Sequence, residues 1–230
     1  MISIISLAWN KYDLTKEFLE RLKKYTDIPH QLIFTDNGST EPISKLVGEI
    51  YPESRLIHNA NNIGCPATRN AAMQHVEGDI VFWLDNDTYV EEGWYKPFLE
   101  ALEARDVGIV GVDGRRIRNP FNYYNPWVFD DELFSFDVDW FVGYAVGFKN
   151  EYYKPIPDWN LSVNFDDVDL CLGIKTNGVR AVMLDEAPAL RHLGSQTGKA
   201  FNPNGDTGED FYKKWWSYWK PYSNYFEEYK

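Results

Sequence analysis

Three features of the sequence predict an α/β fold, a mostly parallel sheet flanked by helices. Short apolar runs rich in β-branched residues alternate with stretches of helical periodicity over residues 1–112. Most of those runs break off into Asn, Asp or Gly, the residues that favour turns. The 230 residues are 44% hydrophobic and 25% charged, a balance that suits one globular domain with a sizeable core.

The elements follow in order. Ile2 to Ala8 reads as a buried parallel strand. Asp13 is expected to cap a helix in which Leu14, Phe18, Leu19 and Leu22 recur at helical spacing, with Lys23 and Lys24 favourably placed at its end. Gln31 to Thr35 forms a second strand, ending in the turn cluster Asp36-Asn37-Gly38-Ser39-Thr40. A helix from Glu41 to Ile50 and a strand from Arg55 to His58 follow. Pro66 suits the first turn of a helix that runs on through Ala67 to Val76 and stops at Glu77-Gly78. Asp79 to Leu84 is a fourth strand, Gly93 to Glu103 a helix, and Val107 to Val112 a further strand.

The rhythm changes after Asp113. Residues 113–140 are aromatic, rich in Asn and Pro, and irregular. A strand from Trp140 to Phe148, a helix from Phe165 to Thr176 and a strand from Arg180 to Leu184 follow. Residues 194–210 read as a long loop of the kind that serves as a lid. From Phe211 the tail is dense in Trp, Tyr and Phe, which suits packing on the rest of the chain or on a second subunit.

Charge narrows the function. With 35 acidic and 23 basic residues the net charge is −12, which argues against a broad nucleic-acid-binding face. An anionic ligand would then need focused arginines or a divalent cation. Aromatic residues make up 17% of the chain, more than a core of this size needs, so some rings are expected to line a groove. Cys65 and Cys171 are too few for a disulfide framework. The first residues lack a basic leader, and no run of apolar residues is long enough to span a bilayer, so a soluble, cytoplasmic chain is expected.

In open α/β sheets ligands bind at the carboxyl ends of the strands. Those ends carry Ala8, Trp9 and Asn10, then Asp36 and Asn37, then Asn61 to Gly64, then Asp85-Asn86-Asp87. Two carboxylates flanking an Asn after a buried strand offer hard oxygen ligands for Mg²⁺ or Mn²⁺, although the same residues also make plain turns. Three acids crowd the start of the predicted helix near Asp166, Asp167 and Asp169, where they could cap it or act as a base.

Ile4-Ile5-Ser6, Trp9-Asn10, Asp36 to Thr40, Asn62-Ile63-Gly64, Ala67 to Asn70 and Leu84 to Asp87 together resemble the large inverting glycosyltransferase family 2, of GT-A fold. That family includes bacterial polysaccharide and O-antigen sugar transferases. Phe165 to Leu172 resembles its acidic motif, and His192 with Gly194 and Ser195 resembles its late histidine. The resemblance implies a nucleotide-diphosphate sugar donor, with a UDP-sugar favoured, a saccharide or other hydroxyl acceptor, and a divalent metal, Mn²⁺ or Mg²⁺. A nucleic acid would enter only as a modified-base acceptor.

It also implies roles. Ala8, Trp9, Asn10, Asp36, Asn37, Asn62, Gly64, Arg69, Asp85 and Asn86 would form the donor site, with Asp36 on the base and Arg69 facing the diphosphate or holding the Asp-rich loop. Asp87, with Asp85 and His192, would serve the metal. Asp167 would be the general base, with Asp166 next, and Gly143 and Tyr144 would line the sugar and acceptor pocket. A single GT-A domain over 1–230 is implied, with a nucleotide-binding half (1–112), an acceptor and catalytic half (113–210) and the tail (211–230).

The chain departs from the family pattern in two places: Asp-Asp replaces Glu-Asp, and Gly173 stands where an arginine is common. A nucleotidyltransferase is the competing enzyme reading, but it calls for a Gly-rich basic loop after the first strand, which Leu7-Ala8-Trp9-Asn10 does not supply. A non-catalytic nucleotide- or sugar-binding relative is the other. Arg115, Arg116, Arg118 and Lys199 read as solvated charges, or as contacts for an anionic acceptor or the donor phosphates.

Overall fold

The computed structural model describes residues 1–115, 137–156, 166–184 and 189–194. Arg116, Arg118, the aromatics Phe121, Tyr123, Tyr124 and Trp127, the loop residues from Ser195 through Lys199 to 210, and the tail from Phe211 lie outside them.

In chain order the strands are β1 (Ile2–Ala8), β2 (His30–Asp36), β3 (Arg55–His58), β4 (Ile80–Leu84), β5 (Thr88–Val90), β6 (Val107–Gly111), β7 (Gly114–Arg115), β8 (Asp137–Val138), β9 (Trp140–Phe141), β10 (Ala145–Lys149), β11 (Arg180–Met183) and β12 (Leu190–His192). The helices are α1 (Tyr12–Tyr25), α2 (Ile43–Ile50), α3 (Cys65–Met73), α4 (Lys96–Leu102) and α5 (Asp166–Lys175). The main sheet has the order β3-β2-β1-β4-β10-β6-β11-β8. β1 to β4 are parallel, whereas β10 runs antiparallel to both β4 and β6. A strand from beyond residue 113 therefore sits between two strands of the front half.

Side-chain alternation sends successive residues to opposite faces of the sheet. Ile4, Phe34, Phe82 and Leu84 pack with Phe18, Leu19 and Leu22 of α1, Leu46 of α2 and Phe98 of α4. Ile5, Ile33, Val81, Trp83, Val146 and Phe148 pack on the other side, with Ala72 and Met73 of α3 and Leu170, Cys171 and Ile174 of α5. Each buried large side chain contributes about 1.5–3 kcal/mol, so both layers hold the sheet rim in place.

Local boundaries differ from expectation for physical reasons. Asp13 lies in the first turn of α1 and is not its cap. The N-cap is Lys11, in the left-handed region, and the Tyr12 N–H donates to Glu41 Oε2 from the neighbouring loop, so a tertiary contact does the capping. The expected strand from Trp140 to Phe148 is two strands broken at Gly143-Tyr144: β9 pairs with β7 and β10 enters the main sheet. α3 ends at Met73 and α4 begins only at Lys96, after Gly93 at φ +77°. β5 and β12 pair antiparallel in a small second sheet that no sequence pattern marked, being three residues each.

Candidate active site

The strand ends converge on one rim, and the loops there are tied to each other. Asn10 and Lys11 both have positive φ, at 60° and 64°. The Asn10 Oδ1 accepts from the Thr40 N–H (2.8 Å), the Thr40 hydroxyl (3.1 Å) and the Glu41 N–H (3.3 Å), joining the β1 loop to the β2 loop. Trp9 beside it is half-buried, and Ala8 is buried in the sheet. Gly38 adopts φ +77°, and a Cβ there would lie 2.4 Å from the Asn61 backbone, so the turn requires glycine.

Asp36 is 2% exposed and spends both oxygens inside the protein. Oδ1 accepts from the Ser39 N–H (3.0 Å), and Oδ2 from the Ser44 N–H (3.1 Å) and hydroxyl (2.6 Å), with His58 Nδ1 at 3.3 Å. Burial opposes its charge, but hydrogen bonds from Ser44, Ser39 and His58 outweigh it and hold the carboxyl below its ordinary value. Asp36 thus fastens the start of α2. Its neighbour Asn37 accepts from Asn59 Nδ2 (2.9 Å) and the Ile63 N–H (3.2 Å) and donates to Asn62 Oδ1 (2.9 Å). The same Asn62 oxygen accepts from the Gly64 N–H (2.9 Å), which shapes the N-terminus of α3.

Beyond β4 the Asp-rich loop divides its tasks. Asn86 turns inward and donates to the Thr15 hydroxyl of α1 (2.9 Å). The Asp85 backbone N–H donates to the Tyr144 carbonyl (2.9 Å), and its carboxylate accepts from Arg69 Nη2 (2.8 Å). Asp87 is buried, and its Oδ1 has no hydrogen-bond donor, although His192 Nε2 lies 3.3 Å away. The Leu193 N–H donates to the Asp87 carbonyl (3.0 Å), and the β5–β12 pair carries His192 to this loop. The imidazole stacks on Tyr144 with centroids 4.1 Å apart. Burial lowers the His192 pKa, but the nearby Asp87 carboxylate outweighs it and the net direction is up.

The acidic start of α5 meets this loop through Arg69. Arg69 Nη1 donates to Asp166 Oδ2 (2.5 Å), and the guanidinium lies 4.6 Å above the Trp83 ring. Asp167 Oδ2 accepts from the Gly143 N–H (3.1 Å) and Oδ1 from the Val168 N–H (2.8 Å). A Cβ on Gly143 would sit 2.9 Å from the Asp167 Cβ, so only glycine permits this approach. Burial, followed by the adjacent Asp166 charge, pushes the Asp167 carboxyl up to about 7.

Asp85, Asp87, Arg69, Asp166, Asp167, Gly143, Tyr144 and His192 are therefore joined in one cluster by contacts of their side chains or backbone. Among the described residues no three His, Cys, Asp or Glu side chains are grouped to hold a metal ion. The orphaned, buried Asp87 oxygen facing an imidazole nitrogen nevertheless suits a divalent cation that accepts oxygen and nitrogen ligands. Thr15, Ser44, Asn59 and Trp83 carry no such signal in the sequence, because ordinary polar and aromatic residues gain such roles only from tertiary placement.

The mostly parallel sheet flanked by helices, with polar groups gathered at its strand ends, is of the GT-A class of folds, like the solved structures it superposes on. Residues 3–158 match the model of Glycosyl transferase family 2, and the chain belongs to that family. It is 26% identical over 107 residues to YwdF of Bacillus subtilis (strain 168), described as an uncharacterized glycosyltransferase, covering 46% of this chain and 39% of that protein. Among solved structures, the mannosyltransferase PcManGT from Pyrobaculum calidifontis, in complex with GDP-Man and Mn²⁺, superposes with a TM-score of 0.66 at 21% identity, over 86% of this chain and 59% of that one. TarS 1-349 of S. aureus, in complex with UDP-GlcNAc, gives a TM-score of 0.59 at 15% identity, over 92% and 63%. The chain thus spans less than two thirds of each of these relatives, from 39% to 63% of their length. Among the described residues no helix is long and apolar enough to cross a membrane.

Proposed function

We propose that this chain transfers a sugar from a nucleotide-diphosphate donor to an acceptor hydroxyl with inversion at the anomeric carbon. The observation that carries this reading is the junction of the Asp-rich loop with the acidic start of α5, made by Arg69 and Gly143. A donor bound at the strand-end rim and a base on α5 would then meet at one point.

Asp167 is the general base. Its carboxyl, pushed up to about 7, matches the proton-transfer task near neutral pH, and the Gly143 N–H fixes its orientation. As Asp167 takes the acceptor proton, the hydroxyl oxygen forms its bond to the anomeric carbon. The bond from that carbon to the diphosphate oxygen breaks on the opposite face, and the electron pair leaves with the nucleoside diphosphate. Asp166 is committed to Arg69 and does not share this role.

Asp87 and His192 would hold a divalent metal, with Asp85 beside them. When bound, such an ion neutralises charge on the departing diphosphate. Trp9, Asn37 and the Asn62 to Gly64 turn border the proposed base site, and Asp36 supports it by fixing the loop. A UDP-sugar is the favoured donor, and the GDP-Man and UDP-GlcNAc complexes of the structural neighbours make GDP the comparison to run.

The test is calorimetric titration of UDP and GDP, with and without Mn²⁺, into wild type and Asp87→Ala. Metal-dependent binding of one nucleotide that disappears in the variant is the expected result. Failure of both nucleotides to bind under any condition would sink the reading.

A further inference from the structure

Arg69 is a side chain only 6% exposed, and both of its terminal nitrogens donate within the protein. Nη1 reaches Asp166 at 2.5 Å, and Nη2 reaches Asp85 at 2.8 Å and the Gly143 carbonyl at 3.3 Å. The Trp83 ring covers one face of the guanidinium at 4.6 Å. These partners come from β4, the loop after it, the turn between β9 and β10, and α5, segments far apart in the chain. A buried cation is tolerated only when its charge and hydrogen bonds are satisfied, and two carboxylates satisfy this one. The flanking carboxylates Asp166 and Asp85 raise the guanidinium pKa against the opposing effect of burial, so the group stays charged.

Two of the contacts lead directly to the base. Asp166 is the first residue of α5 and precedes Asp167 in the chain. Gly143, whose carbonyl accepts from Arg69, donates its N–H to Asp167 at 3.1 Å. The third contact leads to Asp85, on the loop proposed for the donor. We infer that Arg69 is a positioning residue that fixes the base Asp167 relative to the donor loop, and that it is not a cation for the diphosphate. Asp166 is then its counter-ion, which explains why two adjacent acids stand at the start of α5.

The planar fork of Arg69 makes contacts that a lysine cannot reproduce together. This inference rests on the glycosyl-transfer reading, and its test keeps the two apart. Wild type, Arg69→Lys, Asp166→Asn and Asp166→Glu are compared in three measurements: thermal melting, UDP or GDP affinity with Mn²⁺, and release of that nucleotide from its sugar donor with water as acceptor. Misplacing a base by about 1 Å costs about 10²-fold in rate. Arg69→Lys and Asp166→Asn are expected to bind nucleotide as wild type does while turnover falls about 10- to 100-fold. Asp166→Glu, which keeps the carboxylate, is expected to recover most of the rate.

A tenfold or greater loss of nucleotide affinity in Arg69→Lys would assign the guanidinium to the diphosphate and overturn the proposal. Unchanged turnover in both Arg69→Lys and Asp166→Asn would overturn it as well. If Arg69→Lys fails to fold, the Asp166 pair decides the matter alone, because equal rates in Asp166→Asn and Asp166→Glu contradict a counter-ion role. Wild type that neither binds nucleotide nor consumes donor brings down the function itself, before any variant is compared.

Discussion

The imidazole of His192 lies flat on the phenol ring of Tyr144, with the two planes 6° apart. One edge of the imidazole faces Asp87, and the Tyr144 backbone carbonyl accepts from the Asp85 N–H. Tyr144 therefore sets both the plane of the histidine and the position of the Asp-rich loop. Replacing the ring while keeping the backbone separates these effects. Tyr144→Phe should leave Mn²⁺ affinity unchanged, and Tyr144→Ala should weaken it about tenfold, the scale seen when a supporting contact to a metal ligand is lost. Mn²⁺ titration followed by electron paramagnetic resonance measures this, and equal affinity in all three proteins refutes it.

Asp167→Asn should lower donor turnover by about 10²–10⁴-fold, the range for losing a general base, with nucleotide affinity retained. Steady-state rates paired with calorimetry test this. A variant that keeps more than a tenth of the wild-type rate places the base elsewhere.

The acid limb of the rate profile has a defined sign. Burial and the Asp166 charge push the Asp167 carboxyl up to about 7, so a base at this position would lose its active, deprotonated form as pH falls through that range. The rate constant kcat/KM should fall about tenfold for each pH unit below about 6.5. A flat profile between pH 5 and 7, at constant donor binding, would contradict the assignment.

The same shift affects stability in the opposite sense. An aspartate with an ordinary value of 3.8 in the unfolded chain and about 7 in the fold binds more protons when folded across that interval. Stability contributed by this group is therefore present below about pH 4 and lost as pH rises toward 7. Melting temperatures measured from pH 4.5 to 7.5 should show a shallower decline in Asp167→Asn than in wild type. An identical slope in the two proteins would show that the carboxyl is not perturbed.

Asp36→Ala should cost about 2 kcal/mol or more, because it strands the Ser39 and Ser44 donors under a buried loop. Chemical denaturation reads this directly. A loss of nucleotide affinity without a loss of stability would instead give Asp36 a direct role in the base site.

Much of this was legible in the residues. Apolar runs such as Ile2 to Ala8 and Ile80 to Leu84 marked the strands, and the polar groups that follow them marked the rim. What stayed hidden depends on contacts across the chain. The spacing of Asp36 said nothing about Ser44 and His58, which engage its carboxylate from α2 and β3. Asp166 and Asp167 are the same residue type, ranked in the sequence only by the family resemblance, and their different settings come from Arg69 and Gly143. The break in the run from Trp140 to Phe148 was also invisible, because apolar residues continue on both sides of Gly143.

The position of β10 has a consequence for the order of assembly. β4 and β6 are not hydrogen-bonded neighbours, since β10 lies between them and pairs with both. As the chain is synthesised, β1 to β4 can form a sheet, but one edge of it stays open until Lys149 has been made. β6, made earlier, waits with its own unpaired backbone for the same strand. An open apolar edge is a template for pairing with another chain. The nascent protein therefore passes through an interval in which self-association competes with the arrival of β10, and a fragment ending near residue 112 would remain in that interval permanently.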